Sequence, residues 1–96
     1  MPTKYIHCRN FKKDGTMIPQ GGMTVAYTLD DKFKVVGMAV AKCHSKDMYN
    51  KQVGRMKASG RLLSDKYYQD VPESDEMVFI ANVQEEYKKT VKTLGM

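Results

Sequence analysis

Two adjacent pairs, His7-Cys8 and Cys43-His44, hold the side chains of this chain best suited to metal binding or nucleophilic catalysis. Neighbours on an extended strand point to opposite faces, so each pair can aim only one side chain at a shared ion. The short ligand spacings of zinc sites are also missing. A cysteine nucleophile with a histidine base needs an orienting group and an oxyanion loop, and no motif around either pair supplies them. The pairs read as strand-end histidines and reduced thiols, with no metal and no cofactor. The carboxylates Asp30-Asp31 and Glu85-Glu86 are adjacent and divergent, which suits turns and helix surfaces better than acid–base work. Neither Gly-Lys-Ser/Thr nor Gly-x-Gly-x-x-Gly occurs, so nucleotide hydrolysis has no phosphate loop to work with. This inventory points away from an enzyme and toward a binding protein.

Charge is the stronger signal. Through Leu63 the chain carries 12 Lys and Arg against 4 acids, a net +8; from Ser64 onward it carries 4 Lys against 7 acids, a net −3. A field this lopsided draws an anionic partner to one region and orients it on approach. Lys51, Arg55, Lys57 and Arg61 fall on the predicted outer face of one helix, around the small residues Gly54 and Ala58. Lys12, Lys13 and Lys46 are auxiliary cations. Phosphate contacts of this type give salt-dependent affinity without reading sequence. Aromatic residues stand beside basic ones at Tyr5, Phe11, Phe33 and Tyr67-Tyr68 and could stack on unpaired bases, but no signature of a single-strand-binding module accompanies them.

The elements that position these residues follow from periodicity and turn chemistry. Lys4–Phe11 reads as a strand with Tyr5, His7, Arg9 and Phe11 on one side and Ile6, Cys8 and Asn10 on the other. The Asp14-Gly15 dipeptide marks a turn, and Pro19 with Gly21-Gly22 an irregular connection. Met23–Leu29 alternates as a second strand, Asp30–Lys32 turns, and Phe33–Cys43 is apolar on both sides as a central strand would be. Gly37 within it suits a bulge or a close backbone approach.

A helix is expected over Lys46–Leu63, capped by Ser45. Its buried stripe would be Tyr49, Val53, Met56, Gly60 and Leu63, spaced 4, 3, 4, 3. Ser64–Pro72 connects, with a short extended piece. A last helix spans Asp75–Leu94, entered through Pro72 and a run of acids, and buries Ile80, Val83, Tyr87, Val91 and Leu94. A fourth strand over Met77–Ala81, followed by a shorter helix, is the alternative reading there. The fold expected is α+β, a three-stranded antiparallel sheet packed against two helices in one domain over residues 1–96. With no long apolar run and no apolar leader at the N-terminus, neither membrane insertion nor export is expected, which places the chain in the cytoplasm with its two cysteines reduced.

The stretch Ala-Val-Ala-Lys-Cys-His-Ser-Lys-Asp-Met-Tyr-Asn-Lys-Gln-Val-Gly-Arg-Met-Lys-Ala-Ser-Gly-Arg-Leu, ending at Leu62, resembles segments of small proteins encoded by tailed bacteriophages. The resemblance spans residues 22–64: an apolar strand, a polar cap, then a Lys/Arg/Gly-bearing helix. It implies an accessory protein made in an infected bacterial cell, in a group rich in nucleic-acid binders and in inhibitors of host enzymes or defence complexes. The functional expectation is therefore a non-enzymatic protein whose basic helix engages nucleic acid or a nucleoprotein complex. The alternative is an inhibitor that docks the same face on an acidic protein surface, with methionines as adaptable contacts.

Overall fold

A computed structural model describes residues 3–12, 14–44, 46–64 and 66–93. The order of elements is β1 (Thr3–Phe11), β2 (Met17–Leu29), β3 (Lys34–Lys42), α1 (Lys51–Leu62), β4 (Gln69–Asp75) and α2 (Glu76–Thr93). The strands form one antiparallel sheet in the order β1-β2-β3-β4. The fold is α+β, with two helices against that sheet.

Alternation along β2 decides the layers. Val25, Tyr27 and Leu29 face one way, where they join Ile6, Cys8, Val35 and Phe79 of α2. Ala26 faces the other way and joins Ala39, Ala41, Ala58 and Leu62, the last two from α1. The helices thus cover opposite faces of the sheet, and both sets of β2 side chains are buried. Bulges keep this pattern in phase: pairing shifts between Cys8 and Asn10 in β1 and between Val35 and Gly37 in β3. Gly37 serves the close approach expected of it, because a side chain there would overlap the Tyr68 ring.

β2 begins earlier than its alternation suggests and runs through Pro19 and Gly21-Gly22. The two glycines sit at positive φ, 75° and 115°, and a side chain at Gly22 would run into Tyr49 and the Cys8 carbonyl. Beyond the end of β3 this part of β2 takes a new partner. Gly21 donates to the Asp47 carbonyl at 3.0 Å and Tyr49 donates to the Pro19 carbonyl at 2.8 Å. With the backbone of Asp47–Tyr49 satisfied in this way, those residues cannot also form a helical turn. Hence α1 starts at Lys51 rather than Lys46, and its cap is Asn50, whose Oδ1 accepts from the Val53 N–H at 3.1 Å. The expected Ser45 cap lies outside the described residues.

A fourth strand is present, but over Gln69–Asp75; Met77–Ala81 belongs to α2. β4 has the sequence QDVPESD, without apolar alternation, and forms an edge of the sheet, where proline and acids are tolerated. At the junction with α2, Glu76 accepts from the Tyr27 hydroxyl at 2.6 Å and pairs with Lys4 at 3.0 Å, and Asp75 pairs with Lys34. Among the described side chains of α2, Phe79 is buried most deeply, with Ile80, Val83 and Tyr87 half-buried behind it. Leu94 and the side chain of Val91 lie outside the described residues.

Candidate binding surface

Helix α1 is turned over relative to its apolar periodicity. Gly54, Ala58 and Leu62 face the sheet, while Val53, Met56 and Leu63 are 44%, 68% and 88% exposed. At about 100° per residue these two sets lie on opposite sides of the helix. The reason is the surface beneath. Beneath Gly54 and Ala58 that face of the sheet presents Thr24, Ala26, Ala39 and Ala41, small side chains over which the helix settles closely only where its own residues are small. Large apolar side chains are accommodated on the other face, under α2. Tyr49, expected on the buried stripe of the helix, precedes the helix and packs against Gly22.

The rotation redistributes the cations. Lys51 and Arg55 lie on the β1 flank of α1, close enough to His7 for both to act on its charge. Arg9 joins them from the β1 bulge, its guanidinium 4.3 Å from the centroid of the Tyr49 ring. Lys57 and Arg61 occupy the other flank. Arg61 is half-buried: its Nη1 donates to the Val40 carbonyl at 2.8 Å, and it lies 5.1 Å from the Tyr67 ring centroid. It fastens α1 to β3 and is not the free cation expected from its spacing. Lys46 is exposed in the segment before α1, and Lys12 in the β1–β2 turn. Lys13 lies outside the described residues.

Helix α1 contains no acid, so the positive charge along it has no local counter-ion. Among the described residues none of Lys12, Lys46, Lys51, Arg55 or Lys57 makes an ion pair. The pairs that do form, Lys4–Glu76, Lys34–Asp75 and Lys89 with Glu85 and Glu86, all involve the α2 segment or its entrance. Among the described residues, the acids of the C-terminal third thus pair with Lys4, Lys34 and Lys89 and with none of the cations around α1.

A polar cluster not anticipated as a unit anchors the β1 flank. His7 Nδ1 lies 2.7 Å from Tyr49 Oη and 3.1 Å from Thr24 Oγ1, and the two hydroxyls are 2.6 Å apart. Burial, followed by the charges of Lys51, Arg55 and Arg9, holds the His7 imidazole below its ordinary range. Burial likewise pushes the Tyr49 phenol up, so it stays protonated and serves as a hydrogen-bonding post rather than a nucleophile. Thr24 is fully buried. The cluster ties β1, β2 and the segment before α1 together. Its β1–β2 half was available from alternation, since Tyr5, His7 and Arg9 share a face; its link to Tyr49 depends on the register His7↔Thr24 and on the long-range seating of Asp47–Tyr49.

The histidine–cysteine pairs diverge as strand geometry requires. His7 faces α1 and Cys8 is buried under α2, where burial pushes its thiol up. Cys43 is half-buried at the end of β3, and His44 is exposed. Among the described residues no three His, Cys, Asp or Glu side chains converge to hold a metal ion, and no helix is long and apolar enough to cross a membrane.

The structure thus defines an α+β domain with an apolar stripe on its outer helix and unpaired cations on either side of that stripe. In comparisons with known proteins, no family model, no curated protein and no solved structure matches this chain.

Proposed function

We propose that this chain is a binding protein that docks α1 onto an acidic protein surface. The observation that carries the reading is the outward stripe of Val53, Met56 and Leu63, lying between Lys51 and Arg55 on one flank and Lys57 on the other. Protein interfaces are built this way, with an apolar centre that excludes water and a polar rim that selects the partner. Met48 and Tyr67, also exposed, extend the apolar inventory near the two ends of α1. Methionine adapts its shape to the contact it meets. The partner's matching surface is an apolar groove bordered by Asp and Glu. An inhibitor of a host enzyme or defence complex, the class suggested by the likeness to phage accessory proteins, would work through such a contact.

A second reading is supported by a different observation. Arg9, Lys51 and Arg55 gather around His7 with no acid among them, which suits the phosphate backbone of a nucleic acid. A backbone contact has no use for an apolar stripe, and that is why the protein partner is preferred.

One set of variants distinguishes the readings. Immobilised wild-type chain, M56S/L63S and K51E/R55E are exposed to bacterial lysate with and without nuclease, and a labelled DNA oligonucleotide is titrated against each at several salt concentrations. A protein partner is retained despite nuclease and is lost with either double variant. Nucleic acid binding disappears with nuclease, survives M56S/L63S, and weakens linearly in log–log salt with a slope near −0.9 per phosphate contacted on duplex DNA. Retention that survives both double variants would remove α1 from the interface altogether.

A further inference from the structure

On the opposite face of the sheet, α2 does not close fully over the apolar side chains beneath it. A cavity of about 600 Å³ lies between them. Its floor is Met23, Val25, Met38 and Val40 of the sheet, and Phe79 and Val83 of α2 form part of its wall. The volume falls within the range of roughly 300–1,000 Å³ typical of small-molecule sites. Such walls offer water few hydrogen bonds, so an apolar occupant gains by displacing it.

Polar groups are few in the lining. The Asn10 side chain is engaged by the Tyr87 hydroxyl, and Glu86 is 3.9 Å from Lys89. Lys42 and Asn82 also line the cavity, and among the described residues neither side chain has a hydrogen-bond or ion-pair partner. An ammonium and an amide, both free to donate beside an apolar chamber, are complementary to one kind of ligand: an apolar body that ends in a single carboxylate.

We propose that the cavity binds an amphipathic monocarboxylate of the fatty-acid class. Its hydrocarbon lies among Met23, Met38, Val40 and Val83, and its carboxylate accepts from Lys42, with Asn82 as a further donor. The site is separate from α1 and does not rest on the function proposed for that helix. Occupancy would brace α2 against the sheet.

Methionine placement supplies the assay. Met23 and Met38 line the cavity, whereas Met56 and Met77 are exposed elsewhere. Decanoate, kept below its micelle concentration, is titrated into the whole chain while methionine methyl resonances are followed, with 1-decanol as the uncharged counterpart. Met23 and Met38 are expected to shift saturably while Met56 and Met77 stay still. Lys42→Gln, an exposed substitution, should weaken decanoate at least tenfold and leave decanol unchanged. Val83→Trp, which fills the chamber from α2, should weaken both at least tenfold. Absence of saturable shifts in the wild-type chain overturns the proposal, as does equal movement of all four methyls, which would report nonspecific partitioning. Decanoate affinity unaffected by Lys42→Gln overturns it as well. So do Met23 and Met38 shifts that depend on protein concentration without decanoate, since a second copy would then be the occupant.

Discussion

The orientation of α1 can be tested with two glycines of the same helix. Gly60 points to open space, with no atom near the position a side-chain methyl would take. Replacing it with alanine removes the backbone-entropy penalty of an interior helical glycine, about 1 kcal/mol, and meets nothing. Stability should rise by about that amount, or roughly 4–8 °C in Tm for a chain of this size. Gly54 gains the same propensity on substitution, but its methyl would overlap Thr24 Oγ1 and lie 3.2 Å from Thr24 Cβ. Thr24 is fully buried and held by Tyr49 and His7, so it cannot swing aside. Overpacking costs about 1–3 kcal/mol and a disturbed hydrogen bond about 1 more. Set against the propensity gain of about 1 kcal/mol, Gly54→Ala should destabilise by about 1–3 kcal/mol. Urea denaturation of the two single variants measures both signs. The double variant G54A/T24A removes the overlapping oxygen and should show a favourable coupling relative to the two single changes. Stabilisation by Gly54→Ala equal to that by Gly60→Ala would refute the reasoning, because it would mean that Gly54 does not lie against Thr24 of the sheet.

Three further outcomes follow from the same structure. Met56→Ser and Leu63→Ser, both on the outward side, should change stability by no more than about 0.5 kcal/mol each in denaturant titration, whatever they do to binding. Phe33 is exposed and sits at φ 62°, a left-handed conformation that costs a non-glycine residue about 1–2 kcal/mol. After the entropy penalty of glycine, Phe33→Gly should stabilise by about 0.5–1 kcal/mol, read as a raised midpoint in thermal unfolding. His7 takes its proton at lower pH in the folded than in the unfolded chain, whose ordinary value is 6.5, so stability is full above that value and declines as pH falls through it toward the lowered folded value. His7→Gln should flatten the stability profile as pH falls through and below 6.5, measured by urea midpoints at each pH; an unchanged slope would remove His7 as its source.

How much of this was legible beforehand differs from element to element. The bounds of β1 and β3 follow from the sequence to within a residue, and so do the two opposed sets of β2 side chains from Met23 onward, because a period of two is a local property of the chain; the burial of both sets, where alternation suggests a half-buried strand, does not. Glu76 opens α2 within a residue of the expected start, whereas Pro72, Glu73, Ser74 and Asp75, expected at the helix entrance, belong to β4. β4 carried only a hint of an extended piece, since an edge strand rich in acids lacks the apolar alternation by which strands are recognised. Of the cations, Lys51, Arg55, Lys57, Lys46 and Lys12 are exposed, whereas Arg61 is drawn to the Val40 carbonyl, a partner 21 residues away that spacing alone could not announce.

Composition and periodicity by themselves established an α+β chain, with strands of known facing and an excess of positive charge before Leu63. They also distinguish two unlike sides of α1, one large and apolar, the other basic with Gly54 and Ala58 between its cations. Tertiary structure alone decided which of those sides is buried. A sheet face of Thr24, Ala26, Ala39 and Ala41 accepts the Gly54 and Ala58 side, because close packing requires matched volumes and hydrophobicity by itself cannot supply them. That one choice turns Val53, Met56 and Leu63 outward, and so creates the apolar stripe at the centre of the proposed binding surface.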